Sequence, residues 1–302
     1  MLDSAVSEFK GIDKLTVVGV GLIGGSFALA LKQTGLVKNI VGFGQNEANL
    51  KTAVALGVID SYSLSMESAV KGADLVMLAV PLGAMASSLQ AMQPFLEPQT
   101  IVTDAGSAKM AVIRAVESVY GKVPANFVPG HPIAGKEKSG VTAADAMLYQ
   151  KHRVILTPLA DTNPAAVELV RQLWLACGAL VTEMPSHVHD EVFAATSHLP
   201  HILAFGLVDM LNEHKELGDI FQYTAGGFRD FTRIASSDAT MWRDIALTNS
   251  DAVLKWLENY QQALRHMSEL IQKQDGDALY KLFASAKAAR DAHIVNKQPI
   301  QS

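Results

Sequence analysis

The sequence predicts an α/β protein: a Rossmann-type, mostly parallel sheet with helices on both faces over residues 12–184, then an all-helical domain over residues 185–296. Three observations carry this. From Lys14 to Met184, short β-branched apolar runs alternate with helix-length segments, the pattern of parallel strands joined by crossover helices. A glycine-rich turn joins the first run to the first helix. After Pro185 the strand signals vanish, and the chain reads as helices separated by short polar or glycine-containing turns.

The apolar runs span 15–19, 39–43, 75–80, 100–103, 126–129, 153–157 and 180–183. Most lack in/out alternation, as strands covered on both faces should. Pro158, Asn163 and Pro164 mark a loop before a helix that runs to about Cys177. Beyond Pro185, Ser186 is the predicted N-cap of a helix running to about Asn212, with Asp190 and Glu191 near its positive end and a kink at Pro200. Downstream, Val253, Leu257, Tyr260, Leu264, Met267 and Ile271 form a narrow apolar seam on one helix face. Packing within the chain is its first reading and a subunit interface its second.

The composition narrows the function. The chain has 302 residues, 49% hydrophobic and 18% charged, which excludes a mostly disordered protein. Lys and Arg number 25 against 30 acids, a formal charge of -5, so no electrostatic footprint for nucleic acid or membrane exists and any anionic ligand must be held locally. Asp3, Glu8 and Lys10 interrupt the N-terminus, and no later stretch is expected to approach the roughly 18 uncharged residues of a membrane span, so a cytoplasmic protein is expected. The single cysteine, Cys177, lies in an apolar run and reads as a buried, inert thiol.

The turn Gly19-Val20-Gly21-Leu22-Ile23-Gly24 has GxGxxG spacing between a strand and a helix. Gly19 permits the tight turn, Gly21 lets a pyrophosphate approach the backbone, and Gly24 permits close helix–strand packing. Leu22 and Ile23 belong to the same cofactor site, at the helix N-terminus that faces the anion. Val80 and Pro81, at the end of the 75–80 run, are also assigned to cofactor binding. An acid about 20 residues beyond the glycines normally binds the ribose of NAD. Here the segment reads Gly44-Gln45-Asn46. Gly44 removes the carboxylate that would repel a 2′-phosphate, and Gln45 and Asn46 can donate hydrogen bonds to it. No arginine accompanies them, so the reading favours NADP, with NAD next. Glu47 reads as the start of the next helix.

Three further segments, Val102-Thr103-Asp104-Ala105-Gly106-Ser107-Ala108-Lys109, Gly130-His131-Pro132-Ile133-Ala134-Gly135 and Ser197-His198-Leu199-Pro200-His201, join the glycine turn. A fourth is Gly227-Phe228-Arg229-Asp230-Phe231-Thr232-Arg233-Ile234-Ala235, followed by Met241-Trp242-Arg243-Asp244. In this order, over residues 14 to 290, the set resembles the prephenate/arogenate dehydrogenase family of tyrosine biosynthesis. The resemblance implies oxidative decarboxylation of a cyclohexadienol dicarboxylate, with helical halves paired into a homodimer.

Under that reading His131 is the catalytic base, because an imidazole with an ordinary pKa of ~6.5 suits proton transfer near neutrality. It is expected on a rigid turn at the carboxyl edge of the sheet. Ser107 is expected as the N-cap of a helix, and the family resemblance adds a hydrogen bond to the substrate hydroxyl and the catalytic histidine. Lys109 reads as an exposed first-turn lysine. His198 and His201 share one helix face; no cysteine or acid completes a zinc set, so no metal is expected, and the resemblance assigns both to the substrate pocket. Arg233 matches the family's substrate-binding arginine, suited to bidentate carboxylate binding. Arg229 and Arg243 read first as ion-pair residues, and Glu137 matches a family acid near the pocket mouth. Two rivals remain: a β-hydroxyacid dehydrogenase, disfavoured because no lysine after Pro185 outranks the histidines, and a non-catalytic nicotinamide-sensing protein. No room for a regulatory ACT domain is expected, and prephenate and arogenate are not distinguished.

Overall fold

The computed structural model describes residues 10–136, 138–214, 216 and 218–295. They divide into two compact units, one ending at Ala252 and one beginning at Val253. In the first unit, strands β1 (Ile12–Val18), β2 (Val37–Phe43), β3 (Ser61–Ser63), β4 (Leu75–Leu78), β5 (Ile101–Asp104) and β6 (Phe127–Val128) form one parallel sheet in the order β3-β2-β1-β4-β5-β6. Helices α1 (Leu22–Thr34), α2 (Glu47–Ala55), α3 (Met66–Val70), α4 (Met85–Met92) and α5 (Lys109–Tyr120) are the connections. The order reverses direction beside β1, which places the crevice for a ligand at the carboxyl ends of β1 and β4. The predicted fold class is therefore the observed one.

Two strands escaped the sequence reading, and one sheet became two. β3 reads Ser-Tyr-Ser, a polar edge with no apolar run to betray it. The runs at 153–157 and 180–183 do not extend the main sheet. Instead β8 (Arg153–Leu156) pairs antiparallel with β7 (Gly130–Pro132) and parallel with β9 (Leu180–Glu183), a separate three-stranded sheet. The break follows from Pro129, which has no N–H with which to continue the β6 ladder. Its carbonyl accepts from the Thr157 amide at 2.9 Å and carries the chain into the second sheet.

Apolar side chains fill both faces of the main sheet. On one face Trp174, from α6 (Pro164–Ala176), packs 4.4 Å from Phe27 and 4.9 Å from Tyr149, measured between ring centroids. Its ring is fully buried, and a core aromatic of this kind is worth about 3–5 kcal/mol against alanine. The Tyr149 hydroxyl donates to the Ile23 carbonyl at 2.6 Å and so ties this core to the first turn of α1. Cys177 lies in the same core, and burial pushes its thiol pKa well up, as an inert thiol requires.

The helical part opens with α7 (Ser186–Phe193), a π-turn (Ala194–His198) and α8 (Leu199–Glu213), a 28-residue run without a break. By length and composition it is long and apolar enough to cross a membrane, contrary to the expectation for this chain. Its Asp190 carboxylate is nonetheless buried and bonded to backbone amides of α5. Pro185, not Ser186, flanks the helix start, and Ser186 is its first residue. Pro200 lies in the middle of this run, where it has no N–H to donate to the preceding turn. The helix accommodates it with the π-turn immediately before it, where the Leu199 amide reaches back to the Ala194 carbonyl. Then come α9 (Gly226–Thr232), a 3-10 turn (Arg233–Ser236) and α10 (Ala239–Thr248).

The second unit consists of α11 (Ser250–Gln272) from Val253 onward and α12 (Gly276–Arg290). The apolar seam on α11 is filled only in part: Val253 is buried, but Leu264 and Ile271 stay 44% and 61% exposed. Leu257, Tyr260 and Met267 are partly buried, so packing within the chain covers part of the seam and leaves Leu264 and Ile271 open.

Candidate active site

At the head of α1 the three glycines have distinct geometries. Gly19 has φ +96°, and a Cβ there would lie 2.4 Å from the Ala79 carbonyl oxygen. A Cβ on Gly24 would lie 2.3 Å from the Gly19 carbonyl oxygen and 2.8 Å from Val17. Both positions admit only glycine. Gly21, the N-cap, faces open space with nothing within 4 Å of a Cβ, which leaves a cradle before the free amides of Leu22 and Ile23. The residues present thus fit a dinucleotide pyrophosphate. Val80 and Pro81 follow β4 on the other side of this crevice.

Beyond β2, Gly44 has only Leu50 near its Cβ position. Gln45 is exposed. Asn46 caps α2, its Oδ1 accepting from the Asn49 amide at 3.1 Å, so only its side-chain NH2 remains to donate. Glu47 does begin α2, and its carboxylate accepts from the Tyr62 hydroxyl at 2.8 Å and pairs with Lys51 at 3.3 Å.

His131 lies on β7 rather than on a turn, opposite Ile155 of β8. The short antiparallel pairing holds it more rigidly than a loop would. Its Nδ1 is 2.8 Å from Nε2 of His189, whose Nδ1 is 2.8 Å from Oδ1 of Asp190. Asp190 also accepts from the amides of Lys109 at 2.7 Å and Met110 at 2.8 Å. Burial alone raises a carboxyl pKa, but the His189 ring and these two amides outweigh it and hold Asp190 below the usual range. The tautomers follow from that charge. Asp190 can only accept, so His189 carries its proton on Nδ1 and presents a bare Nε2, to which His131 Nδ1–H donates. His131 Nε2 is left with a free lone pair. Phe193 packs against both rings, with centroids at 5.1 and 4.5 Å. Burial first, then His189, Lys109 and His198, hold the His131 pKa well below 6.5, so the ring is neutral at pH 7.

Two sequence-based roles need correction here. Ser107 is not an N-cap: α5 begins at Lys109, its N-cap is Ala108, and its first amides are capped by Asp190 from α7. Among the described residues the Ser107 hydroxyl has no hydrogen-bond partner, although it follows β5 just as the reading required. Lys109 is not exposed: it is fully buried, and its Nζ pairs with Asp104 Oδ2 at 2.5 Å and donates to the Gly130 carbonyl. The sequence shows a lysine in a first helical turn but not the carboxylate beneath it.

His198 and His201 flank Trp242 of α10. His201 stacks on the indole with centroids 3.6 Å apart, and its Nδ1–H donates to the Ser197 carbonyl at 2.8 Å, which leaves Nε2 as an acceptor. His198 meets the indole edge-on at 6.1 Å, and burial pushes its pKa down to about 4. Asn249 links this pair to the relay, 3.2 Å from His198 Nδ1 and donating to the Asp190 carbonyl at 3.0 Å. Arg233 opens the 3-10 turn packed on α8, near enough that its charge lowers the His201 pKa, after burial. Hydrogen bonds and ring contacts thus lead from His131 through His189, Asp190 and Asn249 to His198, Trp242 and His201, and the Arg233 charge is felt at His201. Arg243 pairs with its neighbour Asp244 at 2.7 Å, and Arg229 is exposed on α9. Glu137 lies outside the described residues. Among the described residues, no group of three or more His, Cys, Asp or Glu is placed to hold a metal ion.

Sequence reasoning missed His189, Asp190, Asn249 and the buried Asp104–Lys109 pair. In sequence Asp190 reads as a helix-dipole acid; the histidine before it is the available signal.

A pyrophosphate cradle with a tautomer-fixed imidazole a few strands away is the equipment of a nucleotide-dependent dehydrogenase. Comparison with known proteins makes the class specific. The profile "Prephenate dehydrogenase, nucleotide-binding domain" matches residues 27–183, and "Prephenate dehydrogenase, dimerization domain" matches residues 185–285. The cyclohexadienyl dehydrogenase of Zymomonas mobilis is 38% identical over 91% of this chain and 94% of its own, and the prephenate dehydrogenase of Bacillus subtilis 37% identical over 92% and 76%. The solved structure of A. aeolicus prephenate dehydrogenase with hydroxyphenyl propionate and NAD+ superposes with a TM-score of 0.87 at 38% identity, covering 95% of this chain and 99% of that one. The chain belongs to the prephenate dehydrogenase family. It is an oxidoreductase, and its reaction is the NAD(P)-dependent oxidative decarboxylation of tyrosine biosynthesis.

Proposed function

We propose that this protein oxidises prephenate, arogenate or both with NADP as preferred acceptor, as a cytoplasmic homodimer, using His131 as base. The observation that carries the reading is the Asp190–His189–His131 chain, which leaves an unprotonated Nε2 at the edge of the nucleotide-binding half. The Gly19–Gly24 turn would hold the pyrophosphate of the cofactor, whose nicotinamide would supply the hydride acceptor for the ring carbon that bears the substrate hydroxyl. His131 Nε2 takes the hydroxyl proton, and His189 and Asp190 stabilise the resulting imidazolium. Ser107, free of any capping duty, hydrogen-bonds the same hydroxyl. The ring carboxylate then leaves as carbon dioxide. Its bonding pair enters the ring, which becomes aromatic, and His131 returns its proton to the phenolic oxygen. Positioning and one base are all the chain must supply.

Arg233, beside His201, takes a substrate carboxylate. A charge-assisted hydrogen bond of this kind is worth about 1.5–3 kcal/mol, so Arg233→Ala is expected to raise KM about 10- to 100-fold with a smaller change in kcat. An unaltered KM contradicts that role.

The preference for NADP rests on Gly44, with Glu47 already held by Tyr62 and Lys51. A carboxylate at position 44 would face the 2′-phosphate, and like charges in contact cost several kcal/mol. Gly44→Asp is expected to shift the kcat/KM ratio toward NAD by about a hundredfold; an unchanged ratio removes position 44 from cofactor choice. The dimer reading is supported by the exposed part of the α11 seam and by the match to a dimerization domain.

The test of the whole is reduced-cofactor fluorescence with prephenate, arogenate or hydroxyisobutyrate. Reduction with either of the first two and none with the third is expected. Reduction with none of them contradicts the proposal.

A further inference from the structure

The residue before each of the two proposed catalytic groups is gripped by one buried ion pair. Gly106 precedes Ser107, and its amide donates to Asp104 Oδ2 at 2.7 Å. Gly130 precedes His131. Its amide donates to Asp104 Oδ1 at 3.1 Å, and its carbonyl accepts from Lys109 Nζ. Lys109 Nζ in turn sits 2.5 Å from Asp104 Oδ2, with both side chains at 0% exposure. The Lys109 amide donates to Asp190, the carboxylate that fixes the histidine tautomers. Neither glycine has slack: a Cβ on Gly106 would lie 2.9 Å from Asp104 Oδ2, and one on Gly130 3.1 Å from the Asp104 carbonyl oxygen.

A buried ion pair is a poor way to stabilise a fold, because desolvation consumes most of the attraction; apolar residues of similar volume usually serve as well. What it supplies here is geometry. Asp104 ends β5 and Gly130 begins β7, two segments that belong to different sheets. Between β6 and β7 the main-sheet ladder stops, and the Asp104–Lys109 pair spans that gap.

We propose that Asp104 and Lys109 are positioning residues that jointly set the spacing between Ser107 and His131. Both side chains are fully buried and so act through their neighbours, and the proposal rests on the catalytic assignment of Ser107 and His131 made above. Asp104→Asn/Lys109→Met replaces the pair by neutral side chains of similar size. Asparagine has one acceptor oxygen where aspartate has two, so one glycine amide is released and the carbonyl of Gly130 loses its donor.

The test is steady-state kinetics on this double variant, with prephenate or arogenate, whichever the unmodified protein turns over, together with the cofactor Kd from fluorescence titration. A displacement of about 1 Å at a reacting group lowers turnover about a hundredfold. The expected result is a fall in kcat of that size, with KM and cofactor Kd each within about threefold of the unmodified protein. A folded variant whose kcat stays within threefold overturns the proposal, and so does a loss of cofactor binding in step with kcat, which marks a purely structural pair. If the double variant does not fold, the same measurements on Asp104→Glu decide, because that variant keeps the ion pair but moves its oxygens by one methylene. His131→Asn, assayed alongside, separates the two layers: if it retains full turnover, the catalytic assignment fails whatever the anchor does.

Discussion

His131→Asn is expected to lower kcat by about 10²- to 10⁴-fold, the range a positioned general base contributes, with little change in cofactor affinity. Asparagine holds roughly the volume of the imidazole and leaves β7 intact, but it has no nitrogen lone pair to take a proton. Unchanged turnover dismisses His131 as the base. The same ring sets a pH dependence whose sign is fixed. It works when neutral, and its pKa lies well below 6.5 because burial, His189, Lys109 and His198 all disfavour the charged form. As pH falls, kcat/KM is therefore expected to stay level through 6.5 and to drop only further down. An acid limb at or above 6.5 contradicts the neutral, buried base.

Asp190→Asn is expected to match that loss, by about 10²- to 10⁴-fold in kcat, although Asp190 lies one ring behind the base. Its two oxygens now accept from three donors: the Lys109 and Met110 amides and His189 Nδ1–H. An asparagine brings one oxygen and an NH2. If the NH2 faces His189, that ring moves its proton to Nε2, donates to His131 Nδ1, and forces the His131 proton onto Nε2, where a base needs a lone pair. If it faces the Met110 amide, two donors oppose each other in a buried site, at about 1–3 kcal/mol of stability. The first arrangement removes activity and also turns the NH2 on the Lys109 amide, which shares Oδ1 with His189, so it lowers Tm as well; the second keeps an acceptor for His189 and lowers Tm alone. Steady-state kinetics with thermal unfolding reads both. Asp190→Ala leaves His189 Nδ1–H without this acceptor in any arrangement, and a folded Asp190→Ala variant with kcat within threefold of the unmodified protein removes the relay from the mechanism.

The fold was legible because its signals are local. Uninterrupted apolar runs with helices between them specify a parallel sheet, and Gly19, Gly21 and Gly24 sit where a tight turn, an open cradle and a close helix contact require them. The strands that went unread, at Ser61–Ser63 and Gly130–Pro132, are short, and polar residues or glycine and proline dominate them. Of the site, the residues carried by motif were found, while those defined by partners far along the chain were not. Lys109 is indistinguishable in sequence from an exposed helical lysine until Asp104 and the Gly130 carbonyl are seen around it. Asp190 looks like an acid at its own helix start, yet it caps a helix about 80 residues earlier. Ser107 was read as a cap because serine usually caps; the carboxylate from α7 took that task. The α11 seam showed the right periodicity for packing, but periodicity does not say whether the partner helix belongs to the same chain.

One measurement reaches the central claim directly: a crystal structure of the protein with NADP and hydroxyphenyl propionate bound together. The account predicts the ring hydroxyl about 2.6–3.2 Å from His131 Nε2, the Arg233 guanidinium on the ligand carboxylate, and the pyrophosphate over Gly21. A ligand whose hydroxyl lies out of reach of His131, or whose carboxylate is held elsewhere than at Arg233, contradicts it.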